Sequence, residues 1–210
     1  IRNTVQEART GYLELINEFQ AKGMEPSRVA LFHARFMMGD RLKTEEETLR
    51  QFGKESDSDL RKGRILVATQ VVEQSLDLDF DQMVTDLAPV DLIIQRAGRL
   101  RRHLRDSRGN RKEKGEDGRG ETILHVFGPA ESSEIESNWY SSFSRGSAFI
   151  YPDHGEIWRT VSVLKEKGHI QLPEDSRWLV EEVFGEHARE IPEALDASSS
   201  RVEGQHNANR

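Results

Sequence analysis

Three residues in the stretch from Val90 to Arg102 have the chemistry to grip a phosphate chain. At about 100° per residue, Val90, Ile93, Ile94, Ala97, Leu100 and Leu104 fall on one side of a helix. Gln95, Arg99 and Arg102, spaced i, i+4 and i+7, fall together on the other side. Gly98 permits close approach of another backbone at the same place. Two fixed guanidiniums beside an amide make a receptor for phosphates whose negative charge grows as they are cleaved. The competing reading is an idle solvated face, which is ordinary opposite a core stripe.

A second group lies upstream. The apolar run Arg64-Ile65-Leu66-Val67-Ala68-Thr69 reads as a buried strand that ends on a hydroxyl and continues through Gln70 into Glu73-Gln74-Ser75-Leu76-Asp77. A hydroxyl, an amide and two acids are thereby placed near the sheet edge that precedes the arginines. Thr69 could equally satisfy a strand end, and Asp77 could cap a following turn.

The elements that must position these groups alternate. Val5 to Gln20 carries apolar residues at helical spacing, with Gly23 as its stop. Val29 to His33 is a strand, and Thr44 with Glu47 predicts a capped helix through Phe52. Ser56 to Lys62 reads as a polar connection and Gln82 to Leu87 as a strand. Pro89 opens the helix that runs to Arg102, and Thr122 to Phe127 is a last strand. Strands alternating with helices predict an α/β fold, a parallel sheet flanked by helices. Ligands of such sheets collect at the carboxyl ends of the strands. After Pro129 the pattern changes: Glu131 to Ser147 is polar and irregular, and Glu156 to Lys167 and Ser176 to Phe184 read as short amphipathic helices. The Ser- and Asn-rich stretch from Asp196 to Arg210 is expected to be a disordered tail. The expected organisation is 1–128, 129–195 and 196–210.

The 210 residues contain no cysteine, which excludes disulfides, thiolate metal sites and cysteine nucleophiles and is compatible with the cytoplasm. The seven histidines lack close paired spacing, so no metal site is expected. No run of eighteen apolar residues implies a membrane span. A net charge of -7 argues against a nucleic-acid partner only if it is evenly spread. Residues 1–128 balance 22 basic against 22 acidic side chains, and residues 129–210 carry the whole excess, 8 against 15. Within the first part, Arg101 to Gly120 holds eight basic and four acidic residues, and residues 103–120 of it read as a mobile basic loop. Such runs are usually solvated, although a phosphate contact is possible there.

Taken together, the segments resemble the second RecA-like domain of superfamily two helicases. Val67-Ala68-Thr69-Gln70-Val71-Val72-Glu73-Gln74-Ser75-Leu76-Asp77 resembles motif V, Gln95-Arg96-Ala97-Gly98-Arg99-Leu100-Arg101-Arg102 has the Q-x-x-G-R-x-x-R form of motif VI, and Asn3-Thr4 resembles motif IV. A closer resemblance is to the CRISPR-associated helicase-nuclease of type I systems. Leu31-Phe32-His33-Ala34-Arg35-Phe36 resembles its motif IVa, and Trp158-Arg159-Thr160 and Leu172 to Arg177 resemble its linker and accessory segment. That resemblance implies that Arg99 and Arg102 contact ATP phosphates, with Gln95 and Gly98 beside them. Asp77 would meet the ribose or orient an arginine. Thr69, Gln70 and Thr4, and more weakly His33 and Arg35, would touch single-stranded DNA.

The resemblance also implies partners: the first RecA-like domain and the nuclease domain of the same protein, and a CRISPR RNA-guided surveillance complex. No membrane is implied. The cofactor would be ATP with Mg, held mainly by the first RecA-like domain. The present sequence has no G-x-x-x-x-G-K-[ST] loop, no D-E-x-H or D-E-x-D box and no His-Asp nuclease segment. The first strand of the domain would precede Ile1. A different superfamily two motor, or a non-catalytic binding module, remains open at this point.

Overall fold

The structure, a computed structural model, describes residues 1–36, 38–73, 76–130 and 134–208, the side chains of residues 38 and 203–208 excepted. It divides into two compact units, Ile1–Asp86 with Gln95–Val126, and Leu87–Ile94 with Phe127–Arg210. The sequence expectation was 1–128, 129–195 and 196–210; in the structure the segment Leu87–Ile94 groups with the C-terminal residues.

In the first unit, helix α1 (Val5–Ala21) starts on Thr4, whose hydroxyl accepts from the Glu7 amide and so closes one of the free N–H groups of the first turn. Strands β1 (Val29–Phe32) and β2 (Ile65–Ala68) pair in parallel with Val29 opposite Ile65 and Phe32 opposite Ala68. Period-two alternation sorts their side chains. Val29 and Val67 pack with Ala8 and Phe19 of α1, while Phe32 and Ala68 pack with Phe52 of helix α2 (Met38–Phe52). Helices thus cover both faces of this pair, as the alternating pattern predicts. Strands β3 (Met83–Asp86) and β4 (Leu124–Phe127) form a second two-stranded sheet. Ile1 and Arg2 supply the bonds between the two pairs: the Arg2 amide donates to the Ala68 carbonyl at 2.8 Å, and the Asp86 amide to the Ile1 carbonyl at 2.9 Å.

Two expectations for this unit are corrected. Helix α2 begins well before Thr44, whose hydroxyl donates back to the Asp40 carbonyl at 2.8 Å, so it caps nothing. The connection at Ser56 to Lys62 contains a helical turn, α3 (Ser58–Arg61), because the Asp57 carboxylate accepts from the Asp59 and Leu60 amides.

In the second unit, Leu87 packs with Tyr140, Ala148 and Ile157, and Val90 packs with Val163, Leu179 and Val183. Val90 opens helix α4 (Val90–Ala97). The remaining elements are α5 (Trp139–Phe143), α6 (Arg145–Ile150), α7 (His154–Lys167), α8 (Ser176–Phe184) and α9 (Asp196–Ala208). Helices α5 and α6 replace the irregular structure expected up to Ser147; Tyr140 is fully buried and donates to the Leu87 carbonyl at 2.8 Å. Over Asp196–Ala208, helix α9 stands where a disordered tail was expected; residues 209 and 210 lie outside the described residues. Polar composition misled there, because Leu195 is buried and the Ser199 hydroxyl donates to Asp153 at 2.6 Å, which ties the start of α9 to α7. Among the described residues, no helix is long and apolar enough to cross a membrane.

Candidate functional site

The carboxyl ends of β1 and β2 bring one group of residues together. The Thr69 amide donates to the Phe32 carbonyl at 3.1 Å, which sets Thr69 beside His33 just past the paired strands. Gln70 opens a short 3-10 turn (Gln70–Glu73), and its side-chain amide donates to the Asn3 carbonyl at 2.9 Å. Thr4 follows Asn3, so Thr4, His33, Thr69 and Gln70 share one edge, the edge where ligands of parallel sheets collect. Arg35 is exposed two residues beyond His33 and donates its amide to His33 Nδ1 at 3.2 Å. His33 is buried and stacks on Phe36 at 4.2 Å; burial lowers its pKa. The Thr4 hydroxyl is committed to Glu7, donating to its carboxylate at 2.7 Å as well as accepting from its amide.

The arginines form the second group. Helix α4 stops at Ala97, so the continuous helical face through Arg102 does not exist. Backbone pairing ends it: the Phe80 amide donates to the Arg99 carbonyl and the Arg101 amide to the Phe80 carbonyl, both at 2.8 Å, which draws Leu100 into a bridge with Phe80. Arg101 takes a φ of 49° at this bend. Gln95 and Gly98 are exposed.

The turn nevertheless gathers the two arginines on the motif V stretch. Arg99 donates to the Leu76 carbonyl at 2.6 Å and to the Glu73 carbonyl at 3.0 Å. Arg102 pairs with Asp77 at 2.9 Å, and the same carboxylate oxygen lies 2.9 Å from His103 Nε2. Partial burial raises the Asp77 pKa, but His103 and Arg102 more than offset it and hold the carboxyl below its ordinary range. Burial and the neighbouring Arg102 lower the Arg99 pKa from its very high ordinary value, which leaves the guanidinium charged at any physiological pH. Gln74 and Ser75 lie outside the described residues.

Sequence reasoning missed the residue that joins the groups. Arg96 is fully buried and pairs with Glu73 at 2.7 Å. Its other bonds reach Thr85 Oγ1 at 2.7 Å, the Asp86 carbonyl at 3.0 Å and Asn3 Oδ1 at 3.3 Å. A single residue, Glu73, therefore holds Arg96 with its carboxylate and Arg99 with its carbonyl. The available signal was Glu73 directly after the apolar pair Val71-Val72, an acid that needs a cation if it is drawn into the core with them.

The expected mobile basic loop is ordered and largely neutralised. Arg105 is fully buried; it pairs with Asp79 at 2.5 Å and donates to the carbonyls of Gly53, Ser56 and Gly109. Arg119 pairs with Asp79, Asp81 and Asp117; partial burial would raise the Asp117 pKa, but hydrogen bonds from Arg119, its charge and the Arg105 amide outweigh it and hold the carboxyl down at about 2. The charge run misled because three of its arginines, Arg105, Arg111 and Arg119, have carboxylate partners within the chain.

Comparison with known proteins gives the family and the fold. Residues 1–105 match the family described as CRISPR-associated nuclease/helicase Cas3, C-terminal. The chain belongs to the Cas3 C-terminal family. The CRISPR-associated nuclease/helicase Cas3 of Streptococcus thermophilus is 37% identical over 156 residues, 74% of this chain and 15% of that protein. The CRISPR-associated endonuclease/helicase Cas3 of Escherichia coli K12 is 54% identical over 80 residues, 38% of this chain and 9% of that protein.

Among solved structures, T. fusca Cas3 superposes with a TM-score of 0.78 at 33% identity, covering 98% of this chain and 22% of that one. The T. fusca Cas3-ATP structure gives 0.76 at 34% identity, with 97% and 21% covered. A chain of a pre-nicking CRISPR RNA-guided surveillance complex gives 0.74 at 33% identity, with 98% and 23% covered. The chain thus has the RecA-like α/β fold of the Cas3 C-terminal region, and it spans less than a quarter of the length of each of these relatives.

Proposed function

We propose that this chain is the C-terminal motor domain of an ATP-dependent single-stranded-DNA translocase that acts with a nuclease in CRISPR interference. The observation that carries the reading is the double attachment of Glu73. It links the arginine turn, Arg99 and Arg102 beside Asp77, to the strand edge bearing Thr4, Thr69 and Gln70. In this reading Arg99 and Arg102 donate to ATP phosphates, Asp77 holds Arg102 until nucleotide arrives, and Gln95 and Gly98 line the approach. Thr4, Thr69 and Gln70, and more weakly His33 and Arg35, meet DNA phosphates.

The residues fit a polyphosphate, because Arg102 pairs with a carboxylate that an anion could replace, and Arg99 lies near enough to feel the charges of both. Arginine offers only donors, so Mg must be held by oxygen groups. We assign these, with the phosphate-gripping loop, to a first RecA-like domain of the full polypeptide. Closure of the two domains on ATP would bring the arginines to the phosphates, and hydrolysis would shift the DNA contacts of one domain against the other. A surveillance complex would deliver the DNA, by analogy with the solved complex that contains a similar chain.

The 210 residues alone are expected to show no ATP turnover, since the sequence supplies one side of a site. Unwinding assays of the full polypeptide on DNA and RNA duplexes test the substrate assignment. Activity on DNA with single-strand stimulation supports it; equal or better unwinding of RNA would point to another superfamily two motor.

A further inference from the structure

The stretch Asp77-Leu78-Asp79-Phe80-Asp81 alternates acid and apolar residues at strand period, and the two sides do different work. Leu78 and Phe80 pack into the core cluster with Phe52. On the other side, Asp77 pairs with Arg102, and Asp79 and Asp81 face a buried set of three arginines. Arg61 lies 3.8 Å from Asp79 and 2.8 Å from Asp81; Arg105 lies 2.5 Å from Asp79; Arg119 lies 3.2 Å from Asp79 and 2.7 Å from Asp81.

This row of acids runs beside the arginine turn and grips it at successive points. The Phe80 backbone binds Arg99 and Arg101. Asp79 Oδ1 accepts from the His103 amide at 3.4 Å. The Arg101 side chain donates to the Asp81 carbonyl at 3.1 Å and to the Gly120 carbonyl, next to Arg119, at 2.6 Å. Arg101 is the one non-glycine residue with positive φ among the described residues. Such a conformation is unfavourable for a residue with a side chain and persists where the surroundings over-determine it. Here they do so immediately before Arg102, and the bend turns Arg102 back onto Asp77.

We propose that Asp79 and Arg119 are positioning residues for Arg102, acting through the left-handed bend at Arg101. The proposal rests on the reading of Arg102 as a phosphate-binding arginine. Neither residue touches nucleotide; their work is to fix the bend so that Arg102 reaches one defined place. The buried charges also explain why an acidic chain spends several arginines inside: a rigid, directional cluster holds a turn better than apolar contacts, which tolerate sliding.

The test is DNA-stimulated ATPase kinetics of the full polypeptide carrying Arg119→Gln, Arg102→Lys and both. The expected result is a loss of kcat of about tenfold for Arg119→Gln with little change in KM for ATP, and a double variant no slower than Arg102→Lys alone. Losses that multiply would show that Arg119 acts independently of Arg102 and would overturn the proposal. Wild-type turnover of Arg102→Lys and of Arg102→Ala would instead overturn the reading beneath it, and the proposal with it. A second pair covers the case in which Arg119→Gln fails to fold. Arg101→Gly and Arg101→Val both lose the side-chain bonds, but only glycine adopts the left-handed bend freely. Arg101→Gly should turn over about tenfold faster than Arg101→Val; equal rates would refute a role for the bend.

Discussion

Glu73 and Arg96 form a 2.7 Å ion pair in which the guanidinium is fully buried and the carboxylate nearly so, at the junction of the three motif-like segments. A pair of this kind adds little net stability over an apolar filling, but breaking it strands a charge in the core. The value of the pair is directional. It fixes Asn3, Thr85 and the Asp86 carbonyl around one guanidinium, while the Glu73 carbonyl holds Arg99.

Removing one partner should therefore be far worse than removing both. Arg96→Ala or Glu73→Ala is expected to destabilise the 210-residue chain by about 3–5 kcal/mol in chemical unfolding. The paired replacement Glu73→Met with Arg96→Met should cost less than either single change. Stability ordered the other way would mean that the pair is not the junction described.

Glu156 sets a pH signature in the second unit. It is half-buried in the first turn of α7, and burial, with Asp153 and Asp91 adding, raises its pKa from 4.5 to about 7 against the opposing pull of Arg159. A raised folded-state pKa means stability that is complete below about 4.5 and is lost as pH rises through about 7. Glu156→Gln should match wild type in thermal unfolding at pH 5 and exceed it by a few degrees at pH 8. A gap that does not change with pH would show that the carboxyl is not strained.

Thr4 carries two assignments that substitution separates. As the cap of α1 its replacement by Ala should cost about 1 kcal/mol, and Thr4→Ser or Thr4→Asp should retain most of that. As a DNA contact it should tolerate Ser but not Asp, whose charge repels phosphate. Thr4→Asp that is stable and still binds single-stranded DNA at wild-type strength would remove Thr4 from the interface.

The basic segment after the arginine turn calls for a selective test, since its deletion would remove Arg105 and Arg119 and with them the buried cluster. Arg108 and Lys114 are the exposed cations to replace. If they contact phosphate, Arg108→Ala with Lys114→Ala lowers the slope of log K against log salt for DNA by roughly one to two. The internal neutralisation of this segment favours an unchanged slope, and that is the expected outcome.

Much of this was legible in the residues. Apolar periodicity located β1, β2, α1 and α8, because each buries one continuous face. The motif V and motif VI stretches pointed to the edge and the turn that the structure brings together. Two things were hidden. The end of α4 at Ala97 depends on Phe80 pairing with Arg99 and Arg101, a contact between segments about twenty residues apart that helical periodicity ignores. The fate of the arginines at 96, 105 and 119 was equally opaque, since an arginine destined for a buried carboxylate looks the same in sequence as one destined for solvent. Polar composition erred in the same way at α9, where one buried leucine and a serine bond anchor a segment that reads as unstructured.

If the arginine turn completes an ATP site, turnover depends on Arg99 above all. In the full polypeptide, Arg99→Ala should abolish DNA-stimulated ATP hydrolysis, a loss on the order of a thousandfold or more for a phosphate-stabilising arginine, while the variant stays folded. Turnover near the wild-type rate would contradict the account.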